Sequence, residues 1–215
     1  MNEETETTGL RERKKQRTRQ ALSDAAIALF LERGFDQVSV AEVAAAAEVS
    51  KPTLFRYFPA KEDLALHRIA DHQGEAARVV RGRAAGQAPL AALRAHFHAR
   101  LDARDPITGL CDVPAVLAFR DMLYSTPSLQ ARLGRYADED ERALAEALAE
   151  TDGTNGVTAR LAAAQIIAVH HVLARDNWLR LTSGGSLTDD VLRAAHADAG
   201  RAFDLLGAGL SAQGL

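Results

Sequence analysis

Apolar residues along this chain return at steps of three and four, the spacing that places side chains on one side of an α-helix. From Arg13 to Arg33 the repeat is Leu22, Ala25, Ala26, Leu29 and Phe30, and Gly34 then stops the helix. After a connector at Asp36-Gln37-Val38, the stretch Ser39-Val40-Ala41-Glu42 has the form of a capping box, so a second short helix is predicted from Val40. Glu48-Val49-Ser50 reads as a tight turn. Ser50 is a good N-cap and Pro52 falls in a first helical turn, where its missing N–H costs nothing, which predicts a third helix over Lys51 to Tyr57, ended by Pro59. Lys61-Glu62-Asp63-Leu64 opens a fourth, predicted to continue toward Arg83.

The pattern goes on in the same way. Leu90, Leu93, Phe97 and Leu101 define a helix from Pro89 to about Arg104, and the stretch Asp105 to Asp112 reads as loop. Pro114 and Pro127 each sit where a helix begins, the first helix ending near Ser125 and the second before Thr151-Asp152-Gly153-Thr154-Asn155-Gly156, a loop. Val157 to Leu181 is apolar around most of its circumference and must be covered on more than one side. After the loop Ser183-Gly184-Gly185-Ser186, a last helix from Leu187 to Leu206 carries Ala194, Ala195, Ala199 and Ala202, small enough for another helix to approach closely. The expectation is an all-α protein of about nine helices.

Composition agrees. Of 215 residues, 43 are alanine and 11 aromatic, and a hydrophobic share of 47% suffices for a buried core. No apolar run of about 18 residues is expected to span a bilayer, and the polar start MNEETETTGL lacks the apolar stretch of a signal peptide, so a cytoplasmic protein with no membrane partner is expected. The single cysteine, Cys111, excludes an intrachain disulfide and a cysteine-clustered zinc site.

Charge changes the picture more. The net charge of −3 hides a division: residues 1–9 carry −3, residues 10–61 carry +4 and residues 62–215 carry −4. The first stretch reads as a disordered acidic tip, the second as a DNA-binding domain, the third as a helical body. Alone, the cluster from Arg11 to Arg19 reads equally well as a solvated helix face. Three short helices with a tight turn between the second and third make a helix-turn-helix, whose third helix is presented to the major groove.

The wording RTRQALSDAAIALFLERGFDQVSV followed by AEVAAAAEVSKPTLFRYFPAKEDL resembles the amino-terminal domain of the tetracycline-repressor (TetR) family of transcriptional regulators. The likeness covers about residues 13–64. One departure is Glu48, where the family usually has a glycine. On the third helix, Leu54, Phe55 and Phe58 are expected to pack inward, leaving Lys51, Thr53, Arg56 and Tyr57 for phosphates and base edges. Arg13, Lys14, Arg17 and Arg19 are expected to meet the DNA backbone. Ser39 and Lys61 resemble the family positions that grip phosphates at helix starts.

The resemblance implies a dimer pairing through its last two helices, an operator in double-stranded DNA, and a small effector bound in the helical body. The candidate effector contacts are Phe97, Leu101, Leu117, Met122, Tyr136 and Ile167 on the apolar side and His96, Arg120, Tyr124, Gln165, His170 and Asn177 on the polar side, which favours a mostly hydrophobic molecule with a polar end. No catalytic, cofactor or metal motif is present. His96 and His98 turn about 200° from each other on a helix and cannot clasp one metal, and the neighbouring His170 and His171 read first as satisfied buried histidines. The reading is a ligand-responsive transcriptional regulator, most simply a repressor. The alternative is an α-helical enzyme or scaffold with an accessory DNA-binding-like module.

Overall fold

The computed structural model of the chain describes residues 3–150, 156–184 and 187–210, with side chains from Arg13 to Gly209. Among the described residues ten α-helices follow one another: α1 (Glu3–Arg33), α2 (Val40–Ala46), α3 (Lys51–Tyr57), α4 (Lys61–Ala70), α5 (Glu75–Arg81), α6 (Pro89–Asp102), α7 (Pro114–Ser125), α8 (Pro127–Ala149), α9 (Gly156–Thr182) and α10 (Asp189–Leu210). A 3-10 turn, Pro106–Thr108, lies between α6 and α7. No strand occurs among the described residues, and the all-α expectation holds.

Two boundaries differ from the sequence reading. Helix α1 reaches back to Glu3, through the stretch expected to be a disordered tip. The expected fourth helix is two helices. It ends at Ala70, and α5 begins after Gly74, whose left-handed φ of 69° breaks the helical path while its N–H donates to Asp140 Oδ1 at 2.7 Å. The loops expected at 151–156 and 183–186 lie mostly outside the described residues.

The chain folds as two compact units. The first joins the residues through Asp71 to Asp121–Arg132, so α4, which the sequence assigned to the helical body, belongs here. Its core is Leu22, Ala26, Phe30, Phe35, Val38, Val43, Leu54, Phe58 and Leu64, all at most 5% exposed. The buried Ser23 hydroxyl donates to the Leu64 carbonyl at 2.9 Å and ties α1 to α4. Asp63, also buried, accepts the Ala60 N–H at 3.1 Å at the start of α4 and pairs with Arg132 at 2.5 Å.

The second unit, His72–Arg120 with Leu133 onward, packs α5, α6, α9, α10 and most of α8 around Val80, Leu93, Leu101, Leu144, Leu148, Ile166 and Phe203. By length and composition α9 does qualify as a candidate membrane span, contrary to the expectation from the sequence. Its apolarity has a use inside the fold, because Ala159, Ala162, Ala163, Ile166, Ile167, Leu173 and Trp178 are buried in the unit. Val157, Leu161, Val172 and Leu179 on the same helix stay exposed.

The 3-10 turn rests on α9 at very short range. Asn177 Nδ2 donates to the Thr108 carbonyl at 2.9 Å, and Gly109, at φ 77°, lies so near α9 that a Cβ there would stand 1.9 Å from the Ala174 carbonyl oxygen. That oxygen belongs to helix backbone and cannot yield. Gly109→Ala is expected to destabilise the protein by about 3 kcal/mol or more, from overpacking and a strained positive φ together. Chemical denaturation of the two proteins measures it.

Candidate functional site

Helices α2 and α3 are each set by their first turn. At α2 the capping box forms as the sequence predicts: Ser39 Oγ accepts the Glu42 N–H at 3.2 Å and Glu42 Oε2 accepts the Ser39 N–H at 2.8 Å. The Ser39 N–H, then the Ser39 hydroxyl and Arg33, hold the Glu42 carboxyl at a pKa of about 2. The turn that follows places Glu48 at φ 54°, a left-handed conformation in which a side chain costs roughly 1–2 kcal/mol. Helix α3 spans the predicted residues, with Ser50 Oγ accepting the Thr53 N–H at 3.2 Å.

Helix α3 sorts its side chains by angle. Leu54 and Phe58, four residues apart, are 0% and 4% exposed. Arg56 and Pro52 are exposed on the far side, with Lys51 exposed and Thr53 and Tyr57 half-buried at the flanks. Phe55 departs from the expectation: it is 41% exposed, with Lys51 Nζ 5.9 Å from its ring centroid. The reason is helical geometry. At about 100° per residue, Leu54 and Phe58 fill the inward arc and Phe55 falls outside it.

The other candidate DNA contacts divide. Arg13, Lys14 and Arg17 are exposed along α1, whereas Arg19 is half-buried. Ser39 is exposed, but its hydroxyl also donates to Glu42 Oε2 at 2.8 Å, so capping already occupies it. Lys61 turns inward. Its ammonium donates to the Phe35 carbonyl and lies 4.2 Å from the Phe35 ring centroid and 5.4 Å from that of Phe30, and burial lowers its pKa despite the nearby Asp36, Glu62 and Glu42. This bond fixes the start of the α1–α2 connector.

In the second unit the structure brings Phe97 and His170 together as stacked rings with centroids 5.3 Å apart, and Phe203 stands 5.9 Å from His170. The His170 Nε2 is buried and has no hydrogen-bond partner among the described residues, so the satisfied histidine that the sequence favoured is not found at this atom. Leu101 and Ile167 are core residues, Asn177 serves the 3-10 turn, Gln165 is exposed, and Arg120 donates to the Pro106 carbonyl. Leu117 and Tyr136 are half-buried here, while Met122 and Tyr124 belong to the first unit.

Sequence reasoning missed the polar centre of this unit. Glu75 receives His72 Nδ1 and His96 Nε2, each at 2.7 Å, and Arg100 Nε at 3.0 Å, while Arg100 also pairs with Asp105 at 2.6 Å. Burial opposes ionisation of Glu75, yet the bonds from His72, Arg100 and His96 prevail and hold its pKa well below the usual range. The spacing of His72 to Glu75 and of His96 to Arg100, three and four residues, was the available signal.

Similarity to known proteins agrees with this geometry. A family model described as bacterial regulatory proteins, tetR family, matches residues 22–67. The chain is 34% identical over 176 residues to the HTH-type transcriptional regulator TcmR of Streptomyces glaucescens, covering 80% of this chain and 78% of that one. Among solved structures it resembles NalD, the secondary repressor of the MexAB-OprM multidrug efflux pump in Pseudomonas aeruginosa, at 19% identity and a TM-score of 0.54 over 92% of this chain and 97% of that one. It also resembles Salmonella enterica GusR, at 20% identity and a TM-score of 0.51 over 89% and 94% of the two chains. At these identities the two structures show the fold.

Two outcomes test the placement of these residues. Phe58→Ala is expected to cost about 3–5 kcal/mol of stability, whereas Arg56→Ala should change it by no more than about 0.5 kcal/mol. Equal losses in thermal unfolding would contradict the division of α3 into an inward and an outward side. The second outcome concerns pH. Burial, and then the charges of His171 and His96, lower the His170 pKa from 6.5 to about 4. A base with its folded pKa below its unfolded one binds fewer protons when folded, so its contribution to stability is complete above pH 6.5 and shrinks on acidification toward pH 4. His98 and His171 act in the same direction, and His72, raised by its bond to Glu75, opposes them. Stability measured by urea unfolding should therefore fall by about 2 kcal/mol through His170 between pH 7 and pH 5, and His170→Phe should remove that part.

Proposed function

Because the chain belongs to the tetR family of bacterial regulatory proteins, we propose that this transcriptional regulator acts as a cytoplasmic repressor, binding an inverted-repeat operator as a homodimer and leaving it when a small molecule enters the second unit. The observation that carries the reading is the outward side of α3, where Lys51 and Arg56 stand exposed with Leu54 and Phe58 anchoring the helix beneath, together with the exposed Arg13, Lys14 and Arg17 on α1. An enzyme or scaffold gains no support from this arrangement, which offers cations and a groove-sized helix.

The dimer reading rests on what α9 and α10 leave uncovered. Val157, Leu161, Val172 and Leu179 recur along one side of α9, and Leu205 on α10 is 78% exposed. An apolar stripe of that length on two long helices is the material of a helix-bundle interface between identical subunits. A two-fold dimer presents two copies of α3, and the operator must repeat with the same symmetry. The effector is a mostly hydrophobic molecule with a polar end: Phe97 and the half-buried Leu117 and Tyr136 supply apolar contact, and His170 supplies a polar atom in need of a partner.

A gel-shift titration against DNA upstream of the chain's own gene tests the proposal. Affinity for an inverted repeat should fall by about a thousandfold between 50 and 200 mM salt, as expected when six or more phosphate contacts release counterions. Val172→Arg, which sets charge into the apolar stripe, should give a monomer in sedimentation and weaken operator binding at least tenfold, about 1.4 kcal/mol. A dimer that persists in this variant would move the interface elsewhere.

A further inference from the structure

Two histidines from distant parts of the chain meet where α6 packs on α10 within the second unit. His98 on α6 and His196 on α10 face each other through their Nδ1 atoms at 2.7 Å, with ring planes 5° apart and ring centroids 5.0 Å apart. That centroid distance equals the nitrogen gap plus one ring radius on each side. It can be so large only if both nitrogens lie on the line between the ring centres, so the rings meet edge to edge and the bond runs along the axis of a lone pair. On its other side His196 Nε2 is 2.9 Å from Asp102 Oδ1. A carboxylate there accepts the Nε2–H and leaves the Nδ1 of His196 with a bare lone pair, so His98 donates the bond between the rings.

An imidazole whose far N–H is held by a carboxylate is oriented, and made more basic, in the way that suits a metal ligand. Moving one proton of His98 from Nδ1 to Nε2 bares a second lone pair aimed at the first. Burial, then the charges of His196 and Arg94, lower the His98 pKa, which favours the uncharged form that coordination needs. Arg94 is itself paired with Asp204 at 2.6 Å. We propose that His98 and His196 form a binding site for a late first-row divalent metal ion, Zn²⁺, Ni²⁺ or Cu²⁺, with Asp102 as the positioning residue behind His196. Imidazole nitrogen suits these ions, whereas Mg²⁺ and Ca²⁺ take oxygen. With Zn–N distances of about 2.0–2.1 Å in a tetrahedral site the two nitrogens stand about 3.3 Å apart, so side-chain rotations that open the pair by about 0.6 Å admit the ion. No group of three metal-ligating side chains occurs among the described residues, so water fills the remaining positions. The side chains of His196 and Asp102 are 27% and 68% exposed, which gives the ion and its waters a path from solvent. A bound ion ties α6 to α10 by coordination where a single hydrogen bond holds them otherwise, and the site stands apart from the DNA-binding reading.

The test uses the full chain without a histidine tag, stripped with EDTA and dialysed. Calorimetric titration with Zn²⁺ and with Ni²⁺ should give one site per chain, and Mg²⁺ should give none. His98→Gln and His196→Gln should each weaken Zn²⁺ binding at least a hundredfold, and Asp102→Asn, which keeps both ligands, about tenfold. Zn²⁺ should raise the thermal midpoint of wild type and leave that of His196→Gln unchanged. Unfolding in EDTA checks that the variants are folded; if either glutamine variant is not, the exposed Asp102→Asn carries the comparison. Electron paramagnetic resonance of the Cu²⁺-loaded protein should show coupling to two imidazole nitrogens. If neither Zn²⁺ nor Ni²⁺ binds, the histidines share a proton and nothing more, and the proposal is overturned. It is equally overturned if wild type and all three variants bind Zn²⁺ alike, because the ion then sits elsewhere.

Discussion

Two buried side chains on one short helix govern what this protein can present to DNA. Helix α3 is too short to hold itself together in water, and it stays helical because Leu54 and Phe58 are seated in the core of the first unit and Ser50 caps its start. Seating those two residues also fixes the rotation of the helix about its axis. Once they point in, Arg56 and Pro52 must point out, with Phe55 and Lys51 on one flank and Thr53 and Tyr57 on the other. The connectors serve the same end. Lys61 reaches across to the Phe35 carbonyl, Ser23 holds Leu64, and Asp63 engages both the first turn of α4 and Arg132 at the start of α8.

The second unit shows a different economy. Its polar groups gather around Glu75, where two imidazoles and a guanidinium satisfy one carboxylate, joining α5 to α6 and, through Asp105, to the 3-10 turn. His170 lies close by with a buried nitrogen that bonds to nothing among the described residues. An unpaired buried polar atom costs roughly 1–3 kcal/mol, a cost that a hydrogen-bonding ligand would relieve. That makes His170 the most informative of the candidate effector contacts.

Much of the first unit was legible in the sequence because its signals are local. A capping box, an N-cap before proline and a glycine after an amphipathic run need only neighbouring residues to act, and α2 and α3 began and ended where they said. Phe55 was misread because hydrophobicity predicts burial only on average, and the inward arc of a two-turn helix holds two residues, not three. The α4–α5 break escaped notice because Gly74 is tolerable in a helix until a distant carboxylate, Asp140, binds its N–H. Lys61 and Asn177 found partners 26 and 69 residues away, and no spacing rule reaches that far. The apolar circumference of α9 pointed to cover on more than one side; the unit covers one side, and Val157, Leu161, Val172 and Leu179 stay exposed on the other.

Helix α3 is expected to enter the major groove once from each subunit of a two-fold dimer. Affinity cleavage measures this directly. With Cys111 replaced by serine and a single cysteine at position 53 carrying an iron chelate, the full-length protein bound to a selected duplex should cut it at two symmetric centres about one helical turn apart, near 34–36 Å. Cleavage at one centre alone, or spread evenly along the duplex, would contradict the account.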